Sequence, residues 1–232
     1  MRSRAPYRRP ERIASAGTII SAAPASERDR RLTMRLDTGA EWPVERKAWA
    51  ESGLNIGDSV TTADVQRLFD AEDLVAATNS AARLLGMRAR SAQELLRALD
   101  QRGYPEHIAH QVITDFLERG YLDDAEFARR WITVRSELAP RSNRLLGREL
   151  KAKGVAPELI DESLMEADLD DVETATRLAE HRLERMRGLA PDVQRRRIIG
   201  FLERRGFGWD AIGAVDRNLL RNLTGETDEE PD

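Results

Sequence analysis

The sequence predicts a mainly α-helical protein in which three tandem three-helix repeats form an elongated curved array behind a small antiparallel β module. Two observations carry this prediction. An apolar pattern of period two is confined to residues 17–62, and the rest of the chain has helical periodicity. Within that helical part, one pattern returns at offsets of 51 and 52 residues. A repeating unit of this length is typical of a helical array, in which each unit packs against its neighbours.

The β module is predicted from short alternating segments. Residues 18–22 and 31–36 alternate as half-buried strands do, and residues 41–44 can return as a third strand after a turn. Residues 53–58 have the composition of a compact turn, after which Thr62 is predicted to cap a helix. Because the module has few large apolar residues, we expect it to pack against the helices that follow.

The middle helix of each repeat is the most self-similar element. The self-similar segments are residues 90–103, 141–154 and 191–206. Each has a capping serine (Ser91, Ser142) or a first-turn proline (Pro191) at its start and a glycine at its end. A helix is predicted before each of these, over 74–85, 124–134 and 171–186, and another after each. Three helices in each of three repeats predict nine in total.

The domain boundaries follow from these patterns and from the charge of the two ends. The predicted segments are a disordered basic arm (1–16), the β module (17–62), helical repeats 1, 2 and 3 (63–122, 123–169 and 170–223) and a disordered acidic tail (224–232).

Composition narrows the function classes. The chain of 232 residues has no Cys and a net charge of only −4, so disulfides and cysteine-ligated zinc are excluded and any surface that binds a polyanion must be local. No segment predicts a membrane span, and no phosphate-binding loop is present. His107 and His110 lack a third metal ligand, and Asp123 with Asp124 is interpreted as helix capping. We expect a soluble, cytoplasmic monomer without cofactor or metal, and the family resemblance described next implies that it is not an enzyme.

Three strings resemble the RecX family, the bacterial regulators of the RecA recombinase. They are Arg88-Ala89-Arg90-Ser91 with Glu94-Leu95 and Leu99, Gly120-Tyr121-Leu122-Asp123-Asp124 with Phe127-Ala128 and Trp131, and Glu149-Leu150-Lys151-Ala152-Lys153-Gly154-Val155. The resemblance implies a partner, RecA as a monomer or as the RecA–DNA filament, with weak direct DNA binding. It also implies inhibition of the RecA ATPase, strand exchange and filament growth, and hence a role in DNA repair, recombination and the SOS response.

Charge is segregated along repeat 2. Residues 129–153 carry a net charge of +6, whereas residues 154–173 carry −8. One interpretation is that the basic segment meets DNA phosphates or an acidic RecA surface. The alternative is that the two segments pair with each other inside the protein. Arg141, Arg144 and Arg148 are spaced i, i+3 and i+7, which predicts that they project from one helix face.

The candidate binding residues are basic side chains from all three repeats. They are Arg90, Arg97, Arg129, Arg130, Arg135, Arg141, Arg144, Arg148, Lys151, Lys153, Arg195 and Arg196. Phe127 and Trp131 are interpreted as core residues, and Phe207 with Trp209 as an exposed elbow. The alternative function is a stand-alone helical DNA-binding module, because short helices flanking Gly120 resemble helix-turn-helix units.

Overall fold

The computed structural model describes residues 12–24 and 30–220, which fall into two compact units, one up to Leu122 and one from Asp123. Most of the predicted basic arm and the whole predicted acidic tail lie outside the described residues. The first unit contains the β module and repeat 1, and the second contains repeats 2 and 3.

The β module is a four-stranded antiparallel sheet in the order β3-β2-β1-β4. Its strands are β1 (Gly17–Ala23), β2 (Arg31–Leu36), β3 (Glu41–Glu45) and β4 (Ser59–Val60). The three predicted strands are confirmed. The fourth has only two residues, which is too short to show a period, and α1 (Arg46–Ser52) was not predicted either. Ile19, Met34 and Leu36 are fully buried on the covered face of the sheet.

One long helix, α2 (Thr62–Met87), serves both the sheet and repeat 1. Phe69 packs into the core of the sheet, whereas Ala77 and Ala81 belong to the core of repeat 1. The expectation that the module packs against the next helix is therefore confirmed. The predicted cap was wrong by one residue: Thr61 accepts the backbone N–H of Asp64 while Asp64 accepts that of Thr61, so Thr62 is the first helical residue.

Arg12 was assigned to the basic arm, but its side chain is held by α2. Its guanidinium group pairs with the buried Glu72 and with Asp73 at 2.8 Å, and lies 4.2 Å from the ring centroid of Phe69. Glu72 also accepts the backbone N–H of Glu45 at the end of β3. This contact joins the residues before β1 to the helix behind the sheet.

The predicted nine helices of the repeats are present among the described residues. After α2 they are α3 (Ala92–Asp100), α4 (Glu106–Glu118), α5 (Asp124–Leu138), α6 (Asn143–Ala152), α7 (Pro157–Ala167), α8 (Asp171–Glu184), α9 (Pro191–Arg204) and α10 (Trp209–Val215), the last followed by a π-helical turn over Asp216–Leu220. The side chains of Ser91, Asp123, Ser142 and Asp170 accept backbone N–H groups at the starts of α3, α5, α6 and α8, as the capping argument predicts.

Repeats 2 and 3 can be matched residue by residue through their buried positions. On the middle helices, Leu146 and Leu150 correspond to Ile198 and Leu202, and all four side chains are fully buried. On the first helices, the buried pair Ala128 and Ile132 corresponds to the buried pair Ala175 and Ala179. The same offsets identify equivalent positions elsewhere in the two repeats.

The end of α9 packs closely against the start of α6. The backbone N–H of Ser142 donates to the carbonyl of Arg205 at 3.1 Å, and the guanidinium group of Arg144 donates to the carbonyl of Gly206 at 3.0 Å. Gly206 has a left-handed φ of 86°, and a Cβ built on it would lie 2.6 Å from Cβ of Leu145. Glycine is therefore required here for both conformation and space.

Replacing Gly206 with Ala should destabilise the protein strongly. The left-handed backbone and the overlap with Leu145 together predict a loss of about 3 kcal/mol in the free energy of unfolding, measured by chemical denaturation. Gly120→Ala is the matched control, since Gly120 has a φ of 71° and no neighbouring atom within 4 Å of the methyl group that alanine would add. That variant should lose only about 1 kcal/mol, and equal losses would show that the close packing contributes nothing.

Candidate functional site

The basic segment of repeat 2 is organised around one carboxylate, that of Glu149 on α6. Glu149 accepts the indole N–H of Trp131 at 3.0 Å, and it pairs with Arg135 at 3.4 Å and with Arg141. The guanidinium group of Arg135 also lies 4.4 Å from the ring of Trp131, and the ammonium group of Lys153 lies 4.1 Å from it. We call these five residues the Glu149 cluster.

The environment of Arg141 shows how closely the cations of this region are packed. Burial is the main reason that the pKa of Arg141 is lowered, and repulsion from Arg135 and Arg205 lowers it further. A guanidinium group stays charged at neutral pH in spite of such a shift. The lowered pKa therefore reflects a charged side chain that is partly dehydrated and close to other cations, while Glu149 supplies the carboxylate with which it pairs.

The prediction that Arg141, Arg144 and Arg148 project from one helix face is wrong for Arg141. Helix α6 begins at Asn143, so Arg141 precedes the helix and its side chain turns to Glu149. Arg144 donates to the carbonyl of Gly206. Arg144 and Arg148 are both exposed, one turn apart on α6, and Arg148 has no carboxylate within 4.0 Å among the described residues. Spacing alone does not reveal these non-local partners.

Three further candidates lie in repeats 1 and 3. Arg195 makes a bidentate ion pair with Asp216, with both distances 2.6 Å. Arg90 is half-buried and donates to the carbonyl of Leu84, and burial is the first cause of its lowered pKa, followed by repulsion from Arg88. Arg97 is exposed on α3. These positions belong to two different compact units, so no shared surface is described for them.

The acidic segment contacts the basic segment at Arg129 and at Asn143, whose backbone N–H donates to Asp171 at 2.9 Å. Arg129 lies 4.0 Å from Glu166 on α7, although it is closer to Glu126 on its own helix, at 3.2 Å. Arg130 also pairs with Glu126, at 3.8 Å. Much of the basic segment is therefore paired inside the protein, but the partners are mainly Glu126 and Glu149 rather than the acidic segment.

A smaller group of cations remains available to a partner. Arg148 and Lys151 on α6 and Arg196 on α9 are exposed, and none has a carboxylate within 4.0 Å in the described part of the chain. We call these three residues the exposed basic set. Arg148 and Lys151 are three residues apart, so they are neighbours on the outer surface of α6.

The aromatic predictions are confirmed in part. Phe127 is buried, and its ring stacks near that of Trp131 with centroids 6.1 Å apart. Phe207 is 2% exposed, so the expectation of an exposed elbow is wrong for this residue, whose ring fills the core of repeat 3. Trp209, at 75% exposed, is on the surface as predicted.

Comparison with known proteins explains this architecture. Residues 77–116, 123–164 and 169–215 match the family models of the first, second and third three-helix domains of RecX, which together cover more than half of the chain. The chain belongs to the RecX family. The predicted family and the mainly helical fold of three tandem three-helix domains behind a small sheet are thus confirmed.

Relatives named "Regulatory protein RecX" match the helical part at moderate identity. The protein of Streptomyces coelicolor is 35% identical over 147 residues, which are 63% of this chain and 78% of that protein. The Mycolicibacterium smegmatis protein is 39% identical over 138 residues, covering 56% and 72%. The Pelodictyon phaeoclathratiforme protein is 36% identical over 151 residues, covering 65% and 92%.

Two crystal structures share the fold. One, described as regulatory protein RecX, has a TM-score of 0.60 and 17% identity and covers 88% of this chain and all of its own. The other, RecX from Lactobacillus salivarius, has a TM-score of 0.56 and 20% identity and covers 64% of this chain and 97% of its own.

Other classes of site find no support in the described residues. No group of three His, Cys, Asp or Glu side chains in them could hold a metal ion. His107 lies 3.2 Å from Asp70, and His110 lies 3.8 Å from Glu106. None of the described helices combines the length and the apolar composition that crossing a bilayer requires.

The candidate set omitted residues that the structure places beside it. Arg205 donates to the carbonyl of Pro140 at 2.5 Å, next to Arg141, and Arg182 reaches the same aromatic ring as Arg205. The repeat could have revealed them in the sequence, since Arg182 and Arg205 occupy in repeat 3 the positions that the candidates Arg135 and Lys153 occupy in repeat 2.

Glu149→Gln should destabilise repeat 2. The amide keeps the size of the side chain but removes the charge that Arg135 and Arg141 share, so we expect a loss of about 2 kcal/mol in the free energy of unfolding, measured by chemical denaturation. Glu126→Gln is the matched control: its side chain is 51% exposed and pairs with Arg129 and Arg130 at the surface. Its loss should stay below about 1 kcal/mol, and a comparable loss in both variants would contradict the central role of Glu149.

Proposed function

We propose that this protein regulates RecA by binding either the RecA monomer or the groove of the RecA–DNA filament. Binding would inhibit the ATPase of RecA, strand exchange and filament growth. Through that inhibition the protein would modulate DNA repair and the DNA-damage response. The observation that carries the proposal is the match to all three RecX domains in order along the chain. Binding alone suffices for this activity, so the proposal requires no catalytic group.

The charge distribution supports a binding surface in the second unit. Most cations of repeat 2 have internal partners, whereas the exposed basic set (Arg148, Lys151 and Arg196) is open to a negatively charged partner. A phosphate backbone attracts such cations and releases counterions when they bind. An acidic protein surface would be recognised by the same charges.

Inhibition follows from differential affinity. A ligand changes a conformational equilibrium only if it binds one state more tightly than the other. If the RecX protein binds a filament state that hydrolyses ATP slowly, or a RecA state that cannot add to a filament, both ATPase and growth decrease together. The basic set would contribute affinity, and the folded repeats would supply a fixed spacing between contacts.

The direct test is RecA ATPase activity on single-stranded DNA, titrated with this protein. The wild type should lower the rate of ATP hydrolysis. Arg148→Ala with Lys151→Ala should weaken inhibition, and the slope of log affinity against log salt concentration should become shallower by about 1.4 if both residues contact single-strand phosphates.

The matched control is Lys47→Ala with Arg67→Ala, which removes two exposed cations that have carboxylate partners in the first unit. It should inhibit like the wild type. No change in ATP hydrolysis with saturating wild-type protein would refute the regulatory proposal. Tight sequence-specific binding to duplex DNA without RecA would instead support the stand-alone DNA-binding module.

A further inference from the structure

Two arginines of repeat 3 converge on one aromatic ring. The ζ-carbon of Arg182, on α8, lies 4.4 Å from the ring centroid of Phe201, and that of Arg205, at the end of α9, lies 4.7 Å from it. Both side chains are half-buried, so the positively charged end of each lies beside the same ring in a partly dehydrated place. Cation–π attraction offsets part of the repulsion between them.

Comparison with repeat 2 shows what this pair lacks. The equivalent residues are Arg135 for Arg182, Lys153 for Arg205 and Glu149 for Phe201. In repeat 2 the central position therefore carries a carboxylate that neutralises neighbouring cations, whereas in repeat 3 it carries a neutral ring. Repeat 3 thus keeps two of the three cations of the Glu149 cluster, but it has no carboxylate at the central position.

The positive charge of the repeat 3 pair is uncompensated. Among the described residues, no carboxylate lies within 4.0 Å of the guanidinium group of Arg182 or Arg205. The Nε atom of Arg182 is buried and has no hydrogen-bond acceptor there. Burial lowers the pKa of Arg205, and the charge of Arg182 lowers it further. An anion with several acceptor oxygens would stabilise this site most, because it would neutralise the two half-buried charges and accept a hydrogen bond from the unsatisfied donor.

We propose that Arg182 and Arg205 form an oxyanion site that binds a phosphate group. Phosphate offers oxygen acceptors to two guanidinium groups at once, and Phe201 keeps the two side chains in place without supplying a competing charge. The phosphate can come from a nucleic-acid backbone or from free phosphate. The nucleic-acid source rests on the proposed function, since it would be a contact to the DNA of the filament, whereas phosphate binding itself does not.

The first experiment measures thermal stability against added sodium phosphate at constant ionic strength, with sodium chloride as the balancing salt. The wild-type protein should show a saturable rise in melting temperature, because phosphate binds the folded state. Arg182→Gln with Arg205→Gln should weaken phosphate binding about tenfold or more, since two charged donors are lost.

The matched control is Arg185→Gln with Arg204→Gln. These exposed arginines follow α8 and end α9, next to the proposed site in sequence, and the double variant removes the same charge. It should retain the phosphate-dependent shift of the wild type. An equal shift in all three proteins would overturn the proposal, because it would show that phosphate acts without Arg182 and Arg205.

A conservative variant covers the case in which the double variant does not fold. Arg205→Lys keeps the charge over Phe201 but loses the planar fork, so it should fold and bind phosphate several-fold more weakly. Arg182→Gln alone, without phosphate, should melt no lower than the wild type, since it removes an unneutralised charge. Unaltered phosphate binding by Arg205→Lys together with a lower melting temperature of Arg182→Gln would indicate a structural role and refute the site.

The second experiment identifies the source of the phosphate. Fluorescence anisotropy with a labelled single-stranded oligonucleotide compares the wild type, Arg182→Gln with Arg205→Gln, and the control. Weaker DNA binding by the site variant alone supports the nucleic-acid backbone, whereas unchanged DNA binding with lost phosphate binding supports free phosphate. If the wild-type protein fails to inhibit RecA, the proposed function is refuted. The phosphate-dependent rise in melting temperature does not depend on that result and still tests the phosphate site.

Discussion

The buried apolar pair of each middle helix is the constraint on which the repeats depend. Leu95 and Leu99, Leu146 and Leu150, and Ile198 and Leu202 are each one turn apart and fully buried. Two such side chains fix which face of the helix points to its core. The glycine that ends each helix then lets the chain turn at once, and at Gly206 it also allows the start of α6 to approach.

The orientation of each middle helix also decides which of its neighbouring cations an outside anion can bind. Glu149 and Phe201 occupy the position just before the second buried residue of their helices, where they meet side chains from the first helix of the same repeat. A carboxylate at this position forms ion pairs with the neighbouring arginines, whereas a ring contacts the cations without neutralising their charge. The repeats thus share one scaffold but differ in how their cations can meet an outside anion.

Features that are periodic or repeated could be predicted from the sequence, but short isolated ones could not. Three strands of the module and the nine repeat helices follow from periodicity, capping residues and self-similarity. Helix α1 and strand β4 have only seven and two residues and no counterpart in another repeat, whereas the equally short α10 was predicted from the repeat. The candidate site was predicted less well, because Arg141 and Arg144 lie where expected in the chain but bind Glu149 and Gly206.

The sequence by itself determined the family, the order of the repeats and the caps of most helices, because these depend on residues close together in the chain. Only the tertiary structure decided which arginines are neutralised. Ion pairing depends on distances of a few ångströms between side chains from different helices. Thus Arg148 remains exposed, Arg141 is held by Glu149, and Arg182 and Arg205 both lie against the ring of Phe201, although all are equally basic in the sequence.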